Sequence, residues 1–487
     1  MPFLTKGPEG KQASYGVNKT NWKPRTNSSG IIRGKYILIV LILAVIVGGG
    51  ILGYKWWMTE KEIKLPEEKP TIEKLGEKPT IKEAPFSLTT TRLTTIPKDH
   101  EIFVLPVFSP NGRKVAYRAK RENKCFVVVD DKENKPYDCA IFEAVPGKAQ
   151  IKFSPNSQKV AYIGAEGGKI FMVVNGKEEK AYYNIWEFTF SFDSQKLAYA
   201  AAKDGKGFAV IDGKESEAYD GVDSLVFSSD GEQLAFRAKK EKNYFIVVNN
   251  KEGKAYDLVW SPVFSPDNKN LAYWAKKEGK EFMVINNKEG KIYNNIWEFT
   301  FSPDSQKLAY AAEKEDGLVY AVVNGKEEDK GYDMIFALTF SSGSKKLAYV
   351  AKRGDIEFMV LDEKEGEDYY RIYFPTFSPD SQKIAYGAIK DVETFIVING
   401  KRGKDYYAVY FPTFSPDSQK IVYIARKRER QIEDKEVKEQ WFVVIDDKEG
   451  KSYDMIYTPP QFSPDGKYIA YGARLGNELW WIVDEVK

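Results

Sequence analysis

The chain is poor in the residues that most often carry chemistry. Its 487 residues hold one histidine, His100, and two cysteines, Cys125 and Cys139. Two cysteines exclude a disulfide scaffold and a multi-cysteine metal centre. No Gly-x-Ser-x-Gly elbow precedes a downstream histidine, and there is no zinc spacing or phosphate loop. Charge of one sign is also missing. Lys and Arg number 73 against 70 Asp and Glu, a balance that predicts no nucleic-acid or other polyanionic partner. These shortages argue against an enzyme and predict neither cofactor nor metal.

What is present is repetition. Ten copies of a phrase close to Phe-Ser-Pro-Asp-Ser-Gln-Lys-Leu-Ala-Tyr are anchored at Phe108, Phe153, Phe190, Phe227, Phe264, Phe301, Phe340, Phe377, Phe414 and Phe462. Six of the nine spacings are 37 residues; the others are 45, 39 and 48. A fixed period of this size means stacked supersecondary units, none able to bury its apolar face alone. Each unit reads as four short alternating strands. Their turns carry Pro-Asp, Asn-Gly and Asp-Gly signals, as hairpins do. The expectation is all-β: one ring of about ten four-stranded antiparallel blades, a β-propeller over residues 86–487.

The ends of the array predict how the ring closes. The last copy stops at Lys487 without a fourth strand. Residues 87–103 are β-branched and lack another partner, so about 88–101 should pair with 478–483 and remove two open edges. His100 precedes Phe108 by eight residues, as Tyr182 precedes Phe190.

The first 85 residues are different material. Residues 37–53 form an uncharged apolar run flanked by Tyr36, Tyr54, Trp56 and Trp57. Residues 36–57 would span roughly 30 Å as a helix, enough to cross a bilayer. A cleaved signal peptide is the rival reading. It is opposed by the long tail before the run, its bulky exit and the absence of a small-x-small site. Seven basic residues against Glu9 alone put tail 1–35 in the cytoplasm and the propeller outside. Residues 58–85, rich in Glu, Lys and Pro, read as a stalk.

The stretches FSPDSQKLAYAA (301–312), FSPDSQKIAYGA (377–388) and FSPDGKYIAYGA (462–473) resemble the WD-type propeller repeats of the TolB-like family. Bacterial envelope proteins and the propeller domains of prolyl-oligopeptidase-like enzymes carry such blades. The resemblance covers about residues 86–487 and implies the fold. The motif builds blades rather than a site, and this chain departs from the family in copy number and in its N-terminal run.

Candidate site residues come from what varies. Four residues before the anchor stand Trp186, Trp260, Trp297, Phe336, Tyr373 and Tyr410. The set Trp186, Trp260, Trp297, Tyr373 and Tyr410, with Glu187 and Glu298 beside it, is a candidate partner-binding ring at the channel mouth. The competing reading is that these aromatics seal neighbouring blades. Asp223 is a further polar contact, and the Asp of each Tyr-Asp pair (Tyr219-Asp220, Tyr256-Asp257, Tyr332-Asp333, Tyr453-Asp454) should cap a turn. Cys125 and Cys139 flank one hairpin of the first unit, where a disulfide is feasible outside the membrane. Two insertions break the period, between Cys139 and Gln150 and at residues 426–440. The expected function is a membrane-anchored, extracytoplasmic module of the cell envelope that binds proteins or glycans. The alternative is a glycan- or peptide-processing enzyme at the channel mouth.

Overall fold

A computed structural model describes residues 86–139, 150–430 and 437–486. The tail, the membrane span and the stalk expected from the sequence lie outside these residues. Among the described residues no helix is long and apolar enough to cross a membrane.

The described chain forms ten antiparallel sheets, each built on four strands in sequence order. Blades 1 to 9 occupy residues 101–138, 151–182, 184–215, 221–252, 258–293, 295–327, 334–369, 371–402 and 408–453. Blade 10 joins residues 455–485 to the strand Thr91–Thr95. That strand runs antiparallel to Glu478–Glu485, with Thr91 opposite Trp481 and Thr95 opposite Glu478. The N-terminal segment thus supplies the outer strand that the last copy lacks. The result is a ten-bladed propeller in one ring.

The repeated phrase works as a zipper between blades. In Ser-Pro-Asp-Ser-Gln-Lys the first Ser hydroxyl donates to the Asp carboxylate, as Ser302 does to Asp304 at 2.5 Å. The fourth residue takes a positive φ in every copy: Ser at six positions, Gly at 112, 231 and 466, Asn at 268. A serine is unfavourable in that conformation. Its hydroxyl offsets the cost by accepting the turn N–H of the preceding blade. Asp267 N donates to Ser305, Asp304 N to Ser344 and Asp380 N to Ser418, each at 3.0 Å. The closing Lys then reaches a carbonyl of the following blade, Lys307 to Ser344 at 3.0 Å and Lys383 to Ser418 at 2.8 Å.

Towards the outer edge a second clasp recurs. Lys180 and Tyr182 of blade 2 hold Glu215 of blade 3 at 2.5 and 2.9 Å, and Lys404 and Tyr406 of blade 8 hold Glu449 of blade 9 at 2.6 and 3.1 Å. At the seam His100 occupies the tyrosine's place. Its Nε2 lies 3.1 Å from Glu133 and its Nδ1 3.3 Å from the Tyr117 hydroxyl.

The seam has its own core. Trp481, 1% exposed, packs on Phe86 and Phe108 with ring centroids 6.1 and 6.4 Å away, and its indole N–H donates to Ser87 O at 3.0 Å. A Cβ on Gly112 would stand 2.0 Å from the Trp481 ring, which is why no serine occupies that turn.

Candidate functional site

Topology sorts the connections onto two ends of the ring. Each inner strand runs from the link with the preceding blade to the Ser-Pro-Asp turn, so those turns share one end with the hairpins joining third and outer strands. The blade-to-blade links share the opposite end with the hairpins joining second and third strands. This second end, here called the link face, carries the irregular features. Tyr137–Asp138 ends and Ile151–Phe153 begins at this end, and the long strands Ile421–Arg430 and Val437–Ile445 likewise end and begin there. The chain arrives at the other end, where Ser87 N donates to Asn111 O in the first Ser-Pro-Asn turn.

The six aromatics four residues before the anchors lie at the link-face end of the inner strands. All are half-buried. Trp186, Trp297, Phe336, Tyr373 and Tyr410 pack on the apolar cluster shared with the next blade. Trp260 stacks on Trp274 at 5.1 Å and Tyr410 on Trp441 at 5.6 Å. A bulge explains the inward turn, because the ladder shifts register between Ile185 and Glu187 and between Tyr373 and Thr376.

The acids beside them serve the same joints. In blades 4, 7, 8 and 9 the residue three before the anchor (Ser224, Ala337, Phe374, Phe411) takes a positive φ. Glu187 of blade 3 accepts from Leu225 N at 2.9 Å, just past Ser224. Glu298 of blade 6 accepts from Ala337 N at 2.5 Å and Leu338 N at 3.4 Å. Burial raises the pKa of both carboxyls, against the pull of these N–H groups. Solvent does reach Glu298, but the surrounding protein walls exclude enough water to disfavour its charge. Asp223 makes a two-point pair with Arg237 at 2.6 and 2.8 Å, and Arg237 goes on to Val259 O at 3.0 Å. The aspartates of the Tyr-Asp pairs cap the second-to-third hairpin of the following blade rather than a turn of their own. Asp220 accepts from Glu241 N, Asp333 from Gly354 N and Asp454 from Gly476 N. Cys125 and Cys139 are joined, with Cα atoms 5.0 Å apart.

The exposed apolar side chains form a different set. Among the described residues Leu88, Leu105, Tyr183 and Ile292 are exposed singly elsewhere, whereas Met334, Ile356, Tyr370, Val392, Tyr407 and Leu475, 37–91% exposed, gather in blades 7 to 10 or their links. Each sits on the link face: Met334 at the start of an inner strand, Tyr370 and Tyr407 in blade-to-blade links, Ile356, Val392 and Leu475 at second-to-third hairpins. Arg428 donates to the Tyr407 hydroxyl at 3.0 Å, and Arg426 lies over the same ring at 4.7 Å. The sequence reading missed this rim. The signal was the successive doublets Tyr369-Tyr370 and Tyr406-Tyr407, where five other copies read Tyr-Asp and only the isolated Tyr182-Tyr183 repeats the pattern.

No protein-family model matches the chain. No curated protein matches it either. Solved propellers do. A eukaryotic initiation factor structure is similar over 65% of this chain and 90% of its own, at 13% identity and a TM-score of 0.41. TolB from Acinetobacter baumannii is similar over 61% of this chain and 78% of its own, at 14% identity and a TM-score of 0.26. A TolB homologue from Agrobacterium tumefaciens covers 49% of this chain and 94% of its own, at 17% identity and a TM-score of 0.24.

Proposed function

We propose that the protein is a binding and scaffolding module whose partner is another protein, docked on the link face of blades 7 to 10. One observation carries this reading: six large apolar side chains are exposed on one end of four successive blades. Apolar surface gathered in this way marks contact sites, and Tyr, Met and Arg are the residues enriched in protein interfaces. Tyr370 and Tyr407 are the anchors, each worth about 2 kcal/mol or more when covered by a partner. Tyr373 and Tyr410 support this rim from beneath by sealing blades 8 to 10, while Trp186, Trp260 and Trp297 pack in other parts of the ring. No catalytic role is proposed for Glu187 or Glu298, whose carboxylates are engaged by backbone N–H groups.

The setting proposed is the outer side of a membrane, with residues 36–57 as anchor and residues 58–85 as stalk. Ser87 joins the ring at the Ser-Pro-Asn turn by Asn111, at the end opposite the link face. The buried pair Cys125–Cys139 suits an oxidising compartment.

The test restores the repeat. Tyr370→Asp with Tyr407→Asp recreates the Tyr-Asp pairs of other blades and should leave the melting temperature within a few degrees of wild type. A photo-crosslinker at position 392 should trap a discrete protein in the parent, and the double substitution should abolish that adduct. No adduct at 392, or an equal adduct in the variant, would refute the reading. Trp297→Ala is the companion control and should lower stability by roughly 3 kcal/mol or more.

A further inference from the structure

Two departures from the repeat meet beside a glycine between blades 4 and 5, at the end of the ring opposite the link face. Gln233 of blade 4 stands where other copies place the zipper lysine, such as Lys196, which reaches Gly231 O at 2.9 Å. Asn270 of blade 5 stands at the same position of the next copy, and its amide oxygen takes the Asn286 side-chain N–H at 2.8 Å. Gly253, a glycine as in blades 5, 7, 8 and 9, stands where blade 6 has Glu328. There Glu328 crosses to blade 7 and accepts from the Tyr349 hydroxyl at 2.7 Å.

With no lysine at either position and no side chain at Gly253, the joint is not filled. A cavity of about 450 Å³ opens there, lined by Gln233, Asn249, Asn270 and Asn287 among others, with Ile246 and Phe264 in its walls. Tyr273, the counterpart of Tyr349, also lines it. It is 2% exposed and its hydroxyl has no hydrogen-bond partner. Its neighbour Tyr256 donates to Glu289 instead. A Cβ on Gly253 would stand 3.9 Å from the Tyr273 hydroxyl, so the missing side chain and the unpartnered group face the same space. Leaving a buried hydroxyl unpaired costs about 1–3 kcal/mol, a cost that a polar occupant removes.

We propose that this cavity is a binding site for a neutral sugar residue. Its volume falls within the roughly 300–1,000 Å³ of small-molecule sites. Side-chain amides and a phenol both donate and accept, as each hydroxyl of a sugar does. The charges at the rim are largely spoken for: Glu252 pairs with Lys240, and Lys269 faces Asp267 at 3.7 Å. Lys251 is exposed at the edge, so an acidic ligand is the competitor to be tested. The site lies on the opposite end from the protein-binding rim and does not depend on it.

The experiment uses the full chain in detergent and saturation-transfer NMR with glucose, galactose, mannose, N-acetylglucosamine, glucuronic acid and inorganic sulfate as separate probes. Two substitutions fill the space, the first with the residue of blade 6 and the second with the repeat's own lysine. Gly253→Glu, whose Cβ would stand 3.0 Å from Ile246 O and 3.2 Å from the Asn287 amide, supplies the acceptor for Tyr273 once both shift slightly; Gln233→Lys refits the zipper. At least one neutral sugar should bind the wild type, and each substitution should weaken it about tenfold or more, which corresponds to 1.4 kcal/mol. Melting temperatures are recorded for both, and Gln233→Lys decides alone if Gly253→Glu does not fold. Binding of none of the neutral sugars, binding of glucuronic acid or sulfate in their place, or unchanged binding in a folded variant would overturn the proposal.

Discussion

Replacing Trp481 by alanine tests ring closure most directly. In other blades the matching third-strand residue is small or aliphatic, such as Ala209 opposite Ala200 in blade 3; in blade 10 Trp481 stands opposite Gly472. Trp481 fills the seam between the first and last copies and ties the N-terminal segment through Ser87. An aromatic of this kind buries roughly 150–250 Å². At about 25 cal/mol per Å² that corresponds to roughly 4–6 kcal/mol. Measured Trp or Phe to Ala changes run to about 3–5 kcal/mol, so about 4 kcal/mol is the expected loss. A domain of this size has an unfolding entropy of roughly 0.8 kcal/mol per kelvin, which converts the loss to a fall of about 5 °C. Calorimetry supplies the melting temperature, and hydrogen exchange locates the damage. Protection should fall first in Thr91–Thr95 and Glu478–Glu485. Trp481→Leu should show a smaller change with the same pattern, and deletion of residues 86–101 a larger one. An unchanged melting temperature, or exchange that rises equally in all blades, would show that the seam is not the ring's closing joint.

Serine at both Cys125 and Cys139 removes a cross-link between residues 14 apart in sequence, and should lower stability by about 3 kcal/mol by chemical denaturation. Acid should loosen the outer clasps. Burial pushes the Glu449 carboxyl up, but Lys404, Lys427 and Tyr406 outweigh it and bring its pKa to about 2, below the ordinary 4.5. A depressed folded-state pKa means that this stability is fully present above about pH 4.5 and is lost as pH falls towards 2. Glu449→Gln should therefore flatten the acid limb of a stability–pH profile, and an unaltered limb would exclude the clasp. Protease added to intact spheroplasts should digest the propeller and spare a tag at residue 1; protection of the propeller would reverse the proposed topology.

The fold was legible because its determinants are local and repeated. The 37-residue period, the Pro-Asp turns and the missing final strand together predicted ten blades and the pairing of about 88–101 with 478–483, of which Thr91–Thr95 forms the ladder. The candidate site was less legible. Sequence showed Trp186, Trp297 and Tyr373 beside the channel mouth but not their direction, which depends on an inner-strand bulge and a positive φ in the neighbouring blade. Glu298 looked like a free acid because its partners, Ala337 N and Leu338 N, are backbone groups some 40 residues away. The rim escaped notice because Tyr370 and Tyr407 follow tyrosines that do serve the repeat, and only burial separates the members of each doublet.

The zipper has a consequence for how such a ring can change over time. Most internal joints use the same serine and lysine contacts, so the joints themselves do not encode how many units lie between the ends. Apart from the joint of blades 4 and 5, it is the seam that is particular, with His100, Gly112 and Trp481 fitted to one another. Duplication or loss of a whole 37-residue unit between these ends would leave every joint chemically intact and alter only the angle between blades. Unit number in such an array is therefore free to drift by unequal recombination, while the two terminal units stay matched as a pair.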